Sequence, residues 1–194
     1  IFSIANNAFD FCTLSFSTAF VPLLVIIHAK VTLHLSPDII GLLLSSAGAG
    51  NILGIIVLKW MKNPNRMLLL GVLFLLSGVV VSLLCLAQHS VMICLSMFLF
   101  DGALSMGFVI QAAVHQAATP DALLSRVRSV TYVLGGISGA LGTFLAGWLS
   151  QHYSTAFALW MAAIVLVTVA TIMATNLGRS ARIKEICPPN GVGL

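Results

Sequence analysis

Charge is what this chain has least of. Of its 194 residues only 7% are Asp, Glu, Lys or Arg, where a soluble globular domain carries about 25%. With 59% hydrophobic residues there is too little polar material to cover a water-facing surface, so lipid is the expected solvent. Cysteine is sparse as well. Cys12, Cys85, Cys94 and Cys187 lie far apart with no C-x-x-C spacing, which points away from a zinc site and from a disulfide framework. The histidines, 28, 34, 89, 115 and 152, show no metal-ligand spacing either. No short basic-then-apolar signal peptide opens the chain. It starts with Ile1 rather than Met, which reads as a piece of a longer protein. The balance is basic, nine Lys plus Arg against five Asp plus Glu. In a soluble protein that would hint at nucleic acid. Here membrane topology accounts for it, and no nucleic-acid partner is expected.

What is abundant is long apolar runs. A helix that crosses a bilayer needs about 20 mostly apolar residues. Six runs qualify, near 9–29, 39–61, 67–87, 91–114, 129–150 and 155–176. The connections are short: 30–38, 62–66, 88–90, 115–128 and 151–154. The expected architecture is an all-α integral membrane domain over 1–176, with a polar cytoplasmic tail over 177–194 that carries Pro188, Pro189 and Gly191. Basic residues mark cytoplasmic ends. Lys59, Lys62, Arg66, Arg126, Arg128, Arg179, Arg182 and Lys184 all fall on one side of a six-span alternation, and Lys30 alone on the other. Both termini are therefore expected in the cytoplasm. Trp60, Trp148, Tyr153 and Trp160 lie near the expected interfaces, where amphipathic rings are favoured.

Two stretches echo each other. "SPDIIGLLLSSAGAGNILG" leads into the second span and "TPDALLSRVRSVTYVLGGISGALG" into the fifth. Each has a Ser/Thr-Pro-Asp entrance followed by a Gly/Ala/Ser-rich helix. One precedes a basic loop and the other follows one, so the two helices cross in opposite directions, as in a 3+3 inverted repeat. Gly50 and Gly54, Gly135 and Gly139, and Ser138 and Gly142 are each four apart. Such small residues let helix backbones approach closely in lipid. They suit helices that rock or gate, and equally helices that simply pack.

The polar loop carries the most specific pattern. Pro120, Asp121, Leu123, Arg126, Val127 and Ser129 fit Pro-Asp-x-Leu-Arg-Gly-Arg-Val-x-Ser, while Leu124 and Ser125 depart from it. "LGGISGALGTFLAGWLSQHYS" follows as a glycine-rich helix. Together they resemble the major facilitator superfamily of secondary transporters, and within it the branch of the enterobactin exporter and the macrolide efflux pumps. A second loop motif of that family, Gly-x-x-x-Asp-Arg-x-Gly-Arg, would start at Gly54. Lys59 and Lys62 stand in its basic slots, Leu58 replaces the Asp and Met61 the second Gly. The resemblance implies the C-terminal half of a twelve-helix transporter, with a six-helix half preceding Ile1. It also implies alternating access, export of a small drug- or siderophore-like molecule by proton antiport, a bacterial inner membrane and no cofactor.

Candidate pathway residues follow from charge and spacing. Asp101 lies near the middle of the fourth span, with Ser105 one turn on. A charge at the bilayer centre costs about 2.5–3.5 kcal/mol on insertion scales, so such a residue normally faces a cavity or a partner. It is expected to bind a coupling proton or a cationic group of the substrate; a neutral carboxyl bonded between helices is the alternative. Asn6, Asp10, Thr13 and Ser17 repeat at four, three and four, which is one helical face. They suggest a polar wall on the pathway, or an interfacial cluster at the helix start. Pro22 would kink this helix. His115 with Gln111 lies at the inner end of the fourth span. Arg126 with Asp121, beside Lys59 and Lys62, reads as a cytoplasmic latch or as topology-setting charge.

Other classes fit less well. "GISG" at 136–139 matches the short serine motif of rhomboid proteases, but that family needs a His in the last span and 155–176 has none. No selectivity-filter signature suggests a channel. A half-transporter that serves only as an assembly module is the remaining alternative.

Overall fold

The computed structural model describes the backbone of residues 2–61, 66–87, 89–118 and 121–186. Within those ranges, the side chains of 2–8, 66–67, 114–115, 117–118, 121–124 and 173–186 lie outside the described set. The described elements are α1 (Phe2–Ile27), a π-helical turn (His28–Thr32), α2 (Pro37–Trp60), α3 (Arg66–Leu86), α4 (Ser90–Ala118), α5 (Asp121–His152) and α6 (Thr155–Ile186). Each α-helix contains a stretch long and apolar enough to cross a bilayer.

The spans are where hydropathy puts them, but several helix ends are not. The stretch expected as a loop over 115–128 is mostly helix. α4 runs to Ala118, and α5 already begins at Asp121. Pro120 stands just before that start, and "DALLSRVRS" holds good helix formers with no glycine to stop them. Likewise α6 continues through Ile186, past the expected end at 176, so most of the expected tail is helical. Charged side chains end the lipid-compatible stretch without ending the helix. Lys62 and residues 187–194 lie outside the described residues.

α1 closes on the π-turn, in which Leu33 N–H donates to His28 O at 3.2 Å, five residues back. His34 then takes a left-handed conformation, φ 50°. Pro37 occupies the first turn of α2, where its missing N–H costs nothing.

The main helix contacts are α2 on α4, α1 on α5 and α3 on α6, then α3 on α4, α1 on α4 and α1 on α6. Exchanging α1 with α4, α2 with α5 and α3 with α6 turns this set into itself. The first three helices and the last three are thus one motif used twice, which is the 3+3 repeat. Phe74, Phe100, Leu14, Leu24, Leu84 and Met97 are buried at the centre. α2 and α5 are the least enclosed, with 17% and 22% of their spanning windows buried against 44–56% for the other four. The two helices that the repeat equates are therefore the two left without full cover.

Glycines set the two equivalent seams. A Cβ on Gly50 would strike the Phe98 carbonyl oxygen, and one on Gly54 the Gly102 oxygen, so α2 and α4 meet backbone to backbone. On α5, a Cβ on Gly135 would strike the Phe11 ring, and one on Gly142 would sit 2.8 Å from the Phe16 oxygen. Gly139 is looser, with ordinary contact at 3.6 Å from Ser15 O.

Candidate functional site

Two carboxylates lie within the spanning helices. Asp10, on α1, is 7% exposed, and Asp101, midway along α4, is half-buried. Neither has a hydrogen-bond or ion-pair partner among the described residues. They sit at different depths. Phe11 packs edge-on against Phe108 at 5.8 Å between ring centroids, which sets Asp10 level with the stretch just after Gly107. Asp101 is then roughly 10 Å away along the bundle axis, from the helical rise.

The hydroxyls expected beside them are already engaged. Ser105 Oγ donates toward Asn51 O at 3.2 Å and Gly102 O at 2.9 Å, across the α2–α4 seam. Asp101, one turn earlier, flanks that seam. Thr13 Oγ1 donates to Phe9 O at 2.9 Å and Ser17 Oγ to Thr13 O at 2.8 Å, both along their own helix. Ser17 is buried and faces an apolar cavity of about 220 Å³ with Phe16, Phe20, Val21, Leu145 and Leu166, between α1, α5 and α6. The four-three-four stripe therefore meets different surroundings along its length. Asn6 is on α1, and its side chain lies outside the described residues. Pro22 lies inside α1.

Of the four latch residues, only the side chains of Lys59 and Arg126 fall among the described residues. Lys59 and Arg126 are exposed. Asp121 is the first residue of α5, with its side chain outside the described set, as is all of Lys62. Asp121 and Arg126 are five apart on one helix, and so about 140° apart around it.

A different cluster forms at the end of the bundle that carries Lys59, Arg126 and Arg128, hereafter the basic end. Phe11 stands edge-on to Phe108 and to Tyr132, the latter at 5.5 Å. The Arg128 guanidinium carbon lies 5.5 Å from the Tyr132 ring centroid, and its Nη2 is 3.4 Å from the Tyr132 hydroxyl. Phe11, Tyr132 and Arg128 line a cavity of about 40 Å³ with Gln111, Gln116 and Thr131. Gln111 and Thr131 are buried. Polar residues at the adjoining ends of α4 and α5 are the sequence signal for this cluster. The arrival of α1 beside them is what the linear pattern does not contain. Among the described residues no group of His, Cys, Asp and Glu is placed to hold a metal ion.

Residues 10–189 match the family described as Major Facilitator Superfamily. The chain belongs to that superfamily. Members of the superfamily are transporters rather than enzymes, so this is a multi-pass membrane protein of the secondary-transporter kind. No curated protein and no solved structure matches the chain. On the superfamily bundle, the match takes in both carboxylates, both glycine seams and the cluster at the basic end.

Proposed function

We propose that this chain is the C-terminal six-helix half of a proton-coupled exporter of small organic molecules, of the drug- or siderophore-type branch it resembles. Two carboxylates inside spanning helices, with no ion-pair partner among the described residues, carry this reading. Intramembrane acids are expensive and mark ion and solute routes. Asp101 takes the coupling proton or a cationic group of the solute, and Asp10 serves the same route nearer the basic end. Asn6, Thr13, Ser17 and Ser105 line or support that route. By the positive-inside rule the basic end faces the cytoplasm and both termini lie on that side; the resembling branch supports a bacterial inner membrane. The second six-helix half covers α2 and α5, whose outer faces expose Gly48, Ile52, Leu53, Ile137 and Phe144. Alternating access then works by rocking one half on the other, with the glycine seams as gates.

Transport by the full-length protein in proteoliposomes under an imposed pH gradient tests this, with dyes, macrolides and catechol siderophores as solutes. Asp101→Asn is expected to abolish gradient-driven export. Unchanged export by that variant would end the coupling role. The exposed faces of α2 and α5 equally favour a pure assembly module, which would bind a partner half and move nothing.

A further inference from the structure

The cavity at the basic end, between α1, α4 and α5, is chemically unlike the rest of the bundle. One wall is aromatic, formed by Phe11 and Tyr132. The other carries the Arg128 guanidinium and the Gln116 amide, beside Gln111 and beside Thr131, whose hydroxyl donates to Val127 O at 2.9 Å. Guanidinium offers donors alone, and the Gln116 amide has two N–H donors. Among the described residues no carboxylate pairs with Arg128. Arg126, two positions earlier, is exposed on α5 as Arg128 is, but does not line the cavity. Arg128 lies over the Tyr132 ring at the exposed rim of the cavity, a cation–π placement that leaves its outer donors available.

We propose that this cavity binds the carboxylate end of an amphipathic organic anion, whose apolar body lies on the Phe11 and Tyr132 rings. The inference rests on the chain being part of a transporter, and it names the class of solute. The free volume of about 40 Å³ has room for about three waters, which suits a carboxylate rather than a whole molecule. A planar carboxylate matches the guanidinium fork with two parallel hydrogen bonds. The phosphate of an anionic lipid shares this chemistry and is the competing source.

The test is equilibrium binding of benzoate to the full-length protein in phosphatidylcholine nanodiscs, with benzylamine as the cationic counterpart. Benzoate is expected to bind and benzylamine to bind far more weakly. Arg128→Gln should weaken benzoate by about tenfold or more, the loss of one charge-assisted contact. Arg128→Lys keeps the charge without the fork and should fall between. Arg126→Gln removes the same charge outside the cavity and should leave binding intact. Equal binding of benzylamine, or indifference of benzoate to Arg128→Gln, overturns the proposal. In phosphatidylglycerol nanodiscs undiminished benzoate affinity supports a soluble anion. Its abolition assigns the cavity to a lipid phosphate and overturns the solute assignment. Dye export by the same purified protein in proteoliposomes separates this idea from the transport reading. Export without benzoate binding sinks the anion site alone. Benzoate binding without export of any solute sinks the transport reading and leaves the site standing.

Discussion

His28 Nδ1 meets Thr155 Oγ1 at 2.8 Å, joining residues 127 positions apart. The Thr32 hydroxyl joins the same oxygen at 3.1 Å. The π-turn that ends α1 carries both His28 and Thr32 to the start of α6, so the two repeats are pinned together at the end opposite Arg128. His28 is 5% exposed and Thr155 6%, which leaves water a poor substitute for either partner.

Thr155→Val keeps the shape and removes the hydroxyl. A buried polar group that loses its partner costs about 1–3 kcal/mol. Thr155→Val is therefore expected to lower the unfolding temperature in detergent, and Thr155→Ser to restore most of it. Identical melting of the Val variant and the parent protein would show that the contact contributes nothing.

The glycines separate in the same assay. At Gly50 an added methyl collides with a backbone carbonyl, that of Phe98, and backbone cannot swing aside as a side chain does. α2 and α4 must part, at a cost of about 1–3 kcal/mol for an overpacked core. Gly50→Ala and Gly54→Ala should destabilise by that order. Gly48→Ala, with nothing within 4 Å, should be neutral. Gly139→Ala, at 3.6 Å from its nearest neighbour, should also be tolerated. Equal losses at Gly48 and Gly50 would mean that the seam is not the cause.

Those glycines also show how much was legible in the sequence. Hydropathy located the six spans, because each must match the lipid thickness. The small residues at 50 and 54 stood out, because close helix approach in lipid has few other solutions. Helix ends were not legible in the same way. Charges at Arg126 and Arg128 end an apolar run, yet they are ordinary residues for a helix in water, so α5 simply continues through them. Periodicity put Asp10, Thr13 and Ser17 on one face of α1, but a period names no neighbour. It could not reveal that Ser17 faces an apolar cavity, nor that Phe11, the next residue after Asp10, is the one that meets Arg128's aromatic partner. Contacts among three helices, such as Phe11, Gln111 and Tyr132, depend on topology that no local pattern carries.

Two serines make opposite predictions. Ser77 Oγ, on α3, is fully buried and has no hydrogen-bond partner among the described residues. Ser77→Ala removes that orphan and should be neutral or stabilising, by up to about 1–3 kcal/mol. Ser105 Oγ bridges to α2 through Asn51 O. Ser105→Ala should lose about 0.6 kcal/mol, the typical worth of such a bond between membrane helices. Chemical or thermal unfolding of both variants decides it, and a reversed order would contradict the hydrogen-bond assignment.

The carboxylates allow structure and transport to be told apart. Asn has nearly the shape of Asp and carries no charge or titratable proton. Removing one member of a buried ion pair is strongly destabilising because it strands the other charge. Asp10 and Asp101 have no such partner among the described residues, so Asp→Asn strands nothing. Asp101, near the middle of its span, also carries an insertion cost of about 2.5–3.5 kcal/mol when charged, which the amide avoids in part; Asp10, near the end of its span, carries less. Both variants are therefore expected to fold as well as the parent protein or better, while Asp101→Asn loses proton-driven export. Unfolding curves and proteoliposome transport on the same preparations read the two effects separately. A large drop in stability would recast these acids as structural ties. Full export with unchanged stability would remove them from the route altogether.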